Sequence, residues 1–371
     1  MLPQEAIPAG PAVLRLPVEG DADQIARACS DPGIPRYVPF MPSPYTRDDA
    51  LTWITKTVPE KWGDGGAYFV VADPATDEVL GAAGLQPRDR FGASDVGYWL
   101  APWARGRGVA TAAVRVLAER AFALGVTRIS LLADVDNIPS QRVAFRSGFA
   151  HEGVLRGAGI PRGDTSSDVA VFGRLSTDPG DPITPFLPFF PGGSLDGGSL
   201  TDGVVRLTPL TTADAADHFA LASVPDVTES HVPPRQPVYA GSELVCRYAR
   251  HRWLTGQRID AAIRDERTGE FAGDIQLTGV VPDLGQAMLG YSLLPAFRGR
   301  GLVTRAVTLL IDWAFGQTPL RRIVAGTTTG NTASHRVLER AGFTREHLVR
   351  GLLPGPGGTR VDDLQWARTR D

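Results

Sequence analysis

Apolar and polar positions along the chain follow two rhythms, one of period two and one near 3.6. Ala67-Tyr68-Phe69-Val70-Val71 and Val79-Leu80-Gly81-Ala82-Ala83-Gly84-Leu85 are β-rich runs joined by Asp73, Pro74 and Asp77, which predicts paired strands. Asp95–Leu100 reads as another strand, closed by Pro102. Val109, Ala113, Val116, Leu117, Ala121 and Leu124 then recur at helical spacing until Gly125 stops them. Arg128–Ala133 is a further β-rich run, and Pro139–Ser147 a short helix ended by Gly148. Hairpin strands followed by a strand–helix–strand crossover predict a mixed α/β sheet.

The pattern occurs twice. Val13-Leu14-Arg15-Leu16 returns as Val204-Val205-Arg206-Leu207, and Gly97-Tyr98-Trp99-Leu100 as Gly290-Tyr291-Ser292-Leu293. Arg105-Gly106-Arg107-Gly108 returns as Arg298-Gly299-Arg300-Gly301. Asn137, Ser140 and Gly148-Phe149 return as Asn331, Ser334 and Gly342-Phe343, and Asp168 as Asp363. The offsets drift only from 191 to 195 residues, so the chain holds two copies of one domain. Ala306, Leu310, Ile311, Ala314 and Phe315 mark the second long helix, and Arg322-Ile323-Val324-Ala325 the strand after it. The expected division is residues 1–178, a linker over 179–203, and 204–371. The linker is rich in proline and glycine, which remove donors and raise the entropy of the free chain. Its phenylalanines are too apolar for a free tether and are expected to lie against one domain.

Composition narrows the function more than it fixes it. The 371 residues carry 38 basic and 41 acidic side chains, net −3, which excludes the strong positive field of a non-specific nucleic-acid binder. The first hundred residues are acidic on balance, which suits a cationic acceptor or simply a solvated surface. Two cysteines, Cys29 and Cys246, make neither a disulfide framework nor a zinc ribbon and read as buried apolar residues. The six histidines include no His-Glu-x-x-His pair, so no metal is expected. Met1–Pro11 lacks a basic stretch followed by an apolar run, and no run of about 18 apolar residues occurs. A cytoplasmic protein without a membrane partner is expected.

Chemistry concentrates where a strand runs through a glycine-rich basic turn into a helix: Arg105-Gly106-Arg107-Gly108-Val109-Ala110 and Arg298-Gly299-Arg300-Gly301-Leu302-Val303. Free amides at a helix N-terminus, backed by the helix dipole, cradle a pyrophosphate, and arginines add charge. The turn lacks the Gly-Lys-Ser/Thr of a Walker loop and the third glycine of a dinucleotide fingerprint.

With Gly97-Tyr98-Trp99-Leu100, the turn continuing to Thr111, and Asn331-Thr332-Ala333-Ser334-His335-Arg336-Val337-Leu338 before Gly342-Phe343, the chain resembles the GNAT superfamily of N-acetyltransferases. More narrowly it resembles the branch of ribosomal-protein N-terminal acetyltransferases, in both copies. The resemblance implies two tandem α/β domains, each with a mixed, mostly antiparallel sheet splayed at a strand pair and flanked by helices. It implies acetyl-CoA, or another acyl-CoA, as co-substrate in the gap between two parallel central strands. The amides of residues 105–110 and 298–303 would hold its pyrophosphate, with Val303 departing from the usual Gly or Ala. Asn137 and Asn331 would contact the pantetheine arm, although asparagine before a short helix is also an ordinary N-cap. Ser140 and Ser334 would meet the leaving thiolate. The tyrosine many members carry further along that helix is replaced by Ala144-Phe145 and Leu338-Glu339.

Acyl transfer to an amine needs a proton acceptor, a donor to the developing oxyanion and an acid for the thiolate. Asp95, on one face with Gly97 and Trp99, and Asp134, ending the parallel neighbour, are the carboxylates placed for the first role. Their counterparts Met288 and Thr328 are not bases, which favours the first copy, and an ordered water can serve instead. Tyr98, Tyr291, Trp99 and Trp103 read as sheet packing. Acceptor specificity is assigned to loops over residues 31–62 and 225–255. The leading reading is an N-acyltransferase acting on a small primary amine. The alternatives are a protein N-terminus or lysine as acceptor, and a second copy serving only as a binding or structural module. The two domains are expected to pack together, with a homodimer left open.

Overall fold

The structure, a computed structural model, describes residues 2–38, 41–162, 165–192, 197–230, 236–355 and 358–370. Two compact units divide the chain, Met1–Thr184 and Pro185–Asp371. The first opens with strands β1 (Ile7–Ala9) and β2 (Ala12–Arg15), then helices α1 (Ala22–Cys29), α2 (Gly33–Tyr37) and α3 (Arg47–Thr52). A π-helical turn over Trp53–Thr57 leads into α4 (Val58–Gly63). Strands β3 (Ala67–Ala72), β4 (Val79–Leu85) and β5 (Ala93–Leu100) precede helix α5 (Val109–Ala123). Strand β6 (Arg128–Asp134), helix α6 (Ile138–Arg146) and strand β7 (Ala150–Leu155) follow. A two-strand ribbon, β8 (Pro161–Arg162) with β9 (Thr165–Ser166), leads to β10 (Val169–Leu175).

The strands form one eight-stranded sheet ordered β1-β2-β3-β4-β5-β6-β10-β7, with only β5 and β6 parallel. Strand alternation sorts its side chains onto two faces. Val70, Ala72 and Val79 pack with Ile25 and Cys29 of α1 and Ala50 of α3, while α5 lies against β4 and β5.

The second unit repeats the order. Strands β11 (Leu200–Thr201) and β12 (Val205–Pro209) precede helices α7 (Ala215–Ala222), α8 (Pro225–Ser230) and α9 (Tyr239–Leu254). Strands β13 (Ile259–Asp265), β14 (Phe271–Val281) and β15 (Gln286–Leu293) lead to helix α10 (Leu302–Gln317). Strand β16 (Arg322–Thr328), helix α11 (Thr332–Arg340), β17 (Thr344–Pro354) and β18 (Arg360–Thr369) complete it. The sheet is ordered β11-β12-β13-β14-β15-β16-β18-β17, again with one parallel pair, β15 and β16. Ile259, Ala261, Ile275, Leu277 and Leu289 pack on α10. The opposite face carries Ala262, which clusters with Leu221 of α7 and Cys246 of α9. The predicted α/β sheet is present in both units.

Three sequence expectations change in detail. The segments 31–62 and 225–255, read as loops, are largely helical where described; residues 39–40 and 231–235 lie outside the described residues. Their helices carry local start signals: Thr46 Oγ1 accepts the Asp49 N–H at 3.2 Å and the Asp49 carboxylate takes the Thr46 N–H at 2.8 Å. Asp168 corresponds to Asp362, not Asp363. Asp168 Oδ1 accepts the Gly157 N–H at 2.7 Å, and Asp362 Oδ1 accepts the Gly351 N–H at 2.7 Å. The one-residue slip flips the side chain to the other face of the strand. Within 179–203, Ile183 N–H bonds the Phe145 carbonyl in the first unit, whereas Leu187 and Phe190 are buried in the core of the second. Leu200–Thr201 pairs as an edge strand, and residues 193–196 lie outside the described residues.

Candidate active site

In each unit the central parallel pair holds together for only three residues. Ala93–Asp95 pairs with Arg128–Ser130, and Gln286–Met288 with Arg322–Val324. Beyond those points β5 stays with β4 and β6 with β10, and likewise β15 with β14 and β16 with β18. The sheet therefore opens between its two parallel strands.

At the far end of β5 the chain turns through Arg105–Gly108 into α5. Gly106 and Gly108 have φ of +76° and +77°, and Gly299 and Gly301 have +74° and +75°. Side chains rarely tolerate that region, which is why glycine stands at each. A Cβ built on any of the four meets nothing within 4 Å, so the turn presents bare backbone to open space. The first backbone bond across the helix start is Ala112 N–H to Gly108 O at 3.0 Å, and Arg305 N–H to Gly301 O at 3.3 Å. The amides ahead of it have no partner within the helix. Val109 and Leu302 anchor the two turns in the cores, Ala110 is buried, and Val303 packs partly against the second core.

The turn arginines are already engaged. Arg105 donates to the Leu100 carbonyl and to Asp31, both at 3.3 Å. Arg298 reaches the Leu293 carbonyl at 3.0 Å and grips Asp226 with both Nη atoms, at 2.7 and 3.1 Å. Each thus braces the end of the preceding strand against the turn. Arg107 lies 3.9 Å from Asp73, and Arg300 2.8 Å from Asp265. Pairing with Arg298 holds the Asp226 carboxyl below the usual carboxylate range.

Past β6 and β16, Asn137 and Asn331 cap the short helices, accepting the N–H of Ser140 at 3.3 Å and of Ser334 at 3.0 Å. Ser140 Oγ lies 2.9 Å from the Tyr98 hydroxyl, which comes from β5 beyond the split. Burial pushes the Tyr98 phenol above its ordinary range, against the Ser140 hydrogen bond. Sequence reasoning missed this pair, because Tyr98 read as packing and 42 residues separate the two. In the second unit the Tyr291 hydroxyl donates to the Ser334 carbonyl at 3.4 Å.

The two sequence-predicted carboxylates stand apart in chain position and setting. Asp95 is exposed on the last paired rung of β5. Loss of hydration raises its carboxyl above the usual range, Asp89 adds to this, and Arg128 opposes it. Asp134 is buried at the end of β6 and accepts the Ser167 hydroxyl at 2.6 Å. Met288 and Thr328 occupy the matching positions, both exposed. Cys29 and Cys246 are buried, and burial pushes both thiols up to about 12, which suits packing and not nucleophilic chemistry. Among the described residues no group of three or more His, Cys, Asp or Glu side chains is arranged to hold a metal, and no helix is long and apolar enough to cross a membrane.

Several known proteins are similar to this chain. A Bacillus subtilis (strain 168) protein named "Probable N-acetyltransferase YjcK" is 46% identical over 67 residues, 18% of this chain and 37% of its own length. The chain therefore spans little more than a third of that relative. The "Uncharacterized N-acetyltransferase p20" of Bacillus licheniformis is 30% identical over 139 residues, 37% of this chain and 77% of its own. Mycobacterium smegmatis RimJ, solved in complex with CoA-disulfide, is 27% identical with a TM-score of 0.42, covering 46% of this chain and 86% of that one. The acetyltransferase (GNAT) domain family matches residues 12–150 and again 205–344. The chain belongs to the GNAT acetyltransferase family and carries its domain twice.

Proposed function

We propose that the protein is an N-acyltransferase that uses acetyl-CoA to acylate a small primary amine by direct attack on the thioester. The observation that carries this reading is the pairing, in both units, of a split parallel strand pair with a bare glycine turn opening a helix of 15 or 16 residues. A pyrophosphate suits that turn through its amides and the helix dipole, at Arg105–Ala110 and Arg298–Val303. The turn arginines act mainly as braces, since each already faces a carboxylate.

An alkyl ammonium of pKa near 10.4 must shed a proton before attack, and Asp95 and Asp134 are the carboxyl groups assigned to the first site for that step. The nitrogen then bonds to the thioester carbonyl carbon, the C–S bond breaks, and a proton meets the thiolate. Ser140 is assigned to the sulfur, with the Tyr98 phenol behind it supplying from the strand a hydroxyl that α6 lacks. Ser334 takes the corresponding place in the second unit. Asn137 and Asn331 combine their capping role with contact to the pantetheine arm.

Calorimetric titration of the whole chain with acetyl-CoA tests the reading, with two sites expected per chain. At 100 times the dissociation constant each site should gain about 2.7 kcal/mol of stability. Thiol release is then followed with butylamine, phenethylamine and a peptide with a free N-terminus. Absence of acetyl-CoA binding overturns the donor assignment, and turnover confined to the peptide overturns the small-amine assignment.

A further inference from the structure

The second unit lacks a carboxylate at Met288 and Thr328, yet the sheet restores one from the neighbouring strand. In the first sheet Asp134 on β6 stands directly opposite Val169 on β10. In the second, Thr328 on β16 stands directly opposite Asp363 on β18. Residues opposite each other in an antiparallel pair share a face, with Cβ atoms about 4.5–5.5 Å apart. The carboxyl has moved across the ladder to the same face and the same rung.

A second replacement makes room for it. Leu132, 51% exposed on β6, corresponds to Gly326 on β16. A Cβ on Gly326 would lie 2.7 and 2.8 Å from the Asp363 carboxyl oxygens, so the carboxyl leans over the bare glycine towards the gap between β15 and β16. Gln365, opposite Gly326, holds it there by donating its Nε2–H to Oδ2. Asp363 is 3% exposed, and its Oδ1 has no hydrogen-bond partner among the described residues. Gly326 and Thr328 beside it are exposed, which puts this buried oxygen at the edge of an open strand. A buried carboxyl oxygen without a donor is costly, and an ammonium or an amine N–H would satisfy it.

We propose that Asp363 is the proton acceptor of the second unit, in the place Asp134 holds in the first, which makes the second unit a catalytic site in its own right. The inference rests on the acetyl-CoA reading above. The Asp363 carboxylate takes one proton from the acceptor ammonium. The freed nitrogen lone pair forms the C–N bond, and the electrons of the C–S bond leave on sulfur. The second N–H proton neutralises the thiolate, and the carboxyl returns its proton to solvent. Burial supports the assignment, because it pushes the Asp363 carboxyl above the usual range despite the Gln365 amide and the Thr327 N–H.

The test uses the whole chain with its first turn blocked by Gly108→Val. Calorimetry with acetyl-CoA should then read one remaining site; if it reads none, the donor reading fails at that step, before Asp363 is in question. Thiol release with butylamine, phenethylamine and the free-N-terminus peptide is then measured. Asp363→Asn and Asp363→Val should each lower kcat by about 100-fold or more while acetyl-CoA affinity stays the same. The double variant Asp363→Val/Thr328→Asp, which copies the first sheet, should recover kcat to within about tenfold of the blocked parent. Full turnover by Asp363→Asn overturns the proposal. So does failure of the double variant to recover while its melting temperature matches the parent. A blocked chain that binds acetyl-CoA but acylates none of the three amines also overturns it.

Discussion

The 2.9 Å contact between the Tyr98 and Ser140 hydroxyls gives the first unit a hydroxyl pair at the place proposed for the thioester sulfur, whereas the Tyr291 hydroxyl is spent on the Ser334 carbonyl. A net hydrogen bond is worth about 0.5–1.5 kcal/mol, so Tyr98→Phe should lower first-unit kcat by about 2- to 10-fold. Ser140→Ala, which removes the group itself, should lower it by about 10- to 1,000-fold. Steady-state kinetics beside a melting curve checks both, and a lowered melting temperature with full turnover would falsify the chemical role of Ser140. Asp363 makes a prediction of opposite sign for stability. Its folded-state pKa is raised, so the folded state binds the proton more tightly than the unfolded chain. Its contribution to stability is then fully present below the ordinary carboxylate range and is lost as pH rises through the shifted one. Asp363→Asn removes that decline, so its melting temperature relative to the parent should climb from pH 4 towards neutrality. A carboxylate that the fold stabilises in its ionised form would give the reverse. Spacing exposed Ser140, Asn137 and the glycine turn, because each belongs to a local motif. Tyr98 meets Ser140 of helix α6, and Asp363 stands over Gly326 and opposite Thr328 of a neighbouring strand, so neither shows in local spacing.

At the scale of elements, the glycine turns combine a left-handed backbone with the proposed donor site. Gly108 sits at φ +77° as the N-cap of α5, where a left-handed backbone costs an L-residue about 1–2 kcal/mol. Gly108→Ala should destabilise the first unit by that amount and weaken acetyl-CoA binding at one of the two sites, leaving the second near its original affinity. Equal weakening at both would remove the basis for independent cradles. Asn137→Ala removes the bond from Ser140 N–H and should cost about 0.5–2 kcal/mol. Helices α5 and α10 and the central strands were legible because their apolar positions keep one period from end to end, as in Val109–Ala123, which presents Ala113, Leu117 and Ala121 on one buried face; α9, as long as α10, was read as part of a loop. The helices between 33 and 63 were not, because α2 and α3 have five and six residues and a π-turn shifts the phase between α3 and α4. Too few turns accumulate for a period to show. The slip between Asp168 and Asp362 has a related cause. Counting landmarks along the chain fixes a domain, while a hydrogen bond such as that from Gly351 N–H to Asp362 fixes a residue.

On the scale of the whole molecule, the proline-rich segment after Thr184 belongs structurally to the second unit. Phe190 is 3% exposed and stacks edge-on to Trp253 and Trp313, with ring centroids 4.7 and 4.9 Å away. Trp253 Nε1–H donates to the Pro188 carbonyl at 3.0 Å, so the same indole holds both the backbone and the ring of this segment. Proline limits the unfolded segment to few conformations, which lowers the entropy lost when it docks. Removing a buried phenylalanine ring costs about 3–5 kcal/mol, and in a unit of this size each kcal/mol moves the melting midpoint by about 2–4 °C. Phe190→Ala should therefore lower the midpoint of the second unit by roughly 6–20 °C. The half-buried Phe186 touches the same core, and Phe186→Ala should cost less. Scanning calorimetry of the whole chain, with and without acetyl-CoA, reads the effect. Hydrogen exchange at the amides of β13 and β14 assigns it to the second unit, because Ile259, Ala261, Ile275 and Leu277 of those strands share the core of the aromatic cluster. Loss of protection there, with the amides of β3 and β4 unchanged, is the expected result. Equal loss in both sheets would mean that the segment between residues 185 and 191 stabilises the chain as one cooperative body, not the second unit alone.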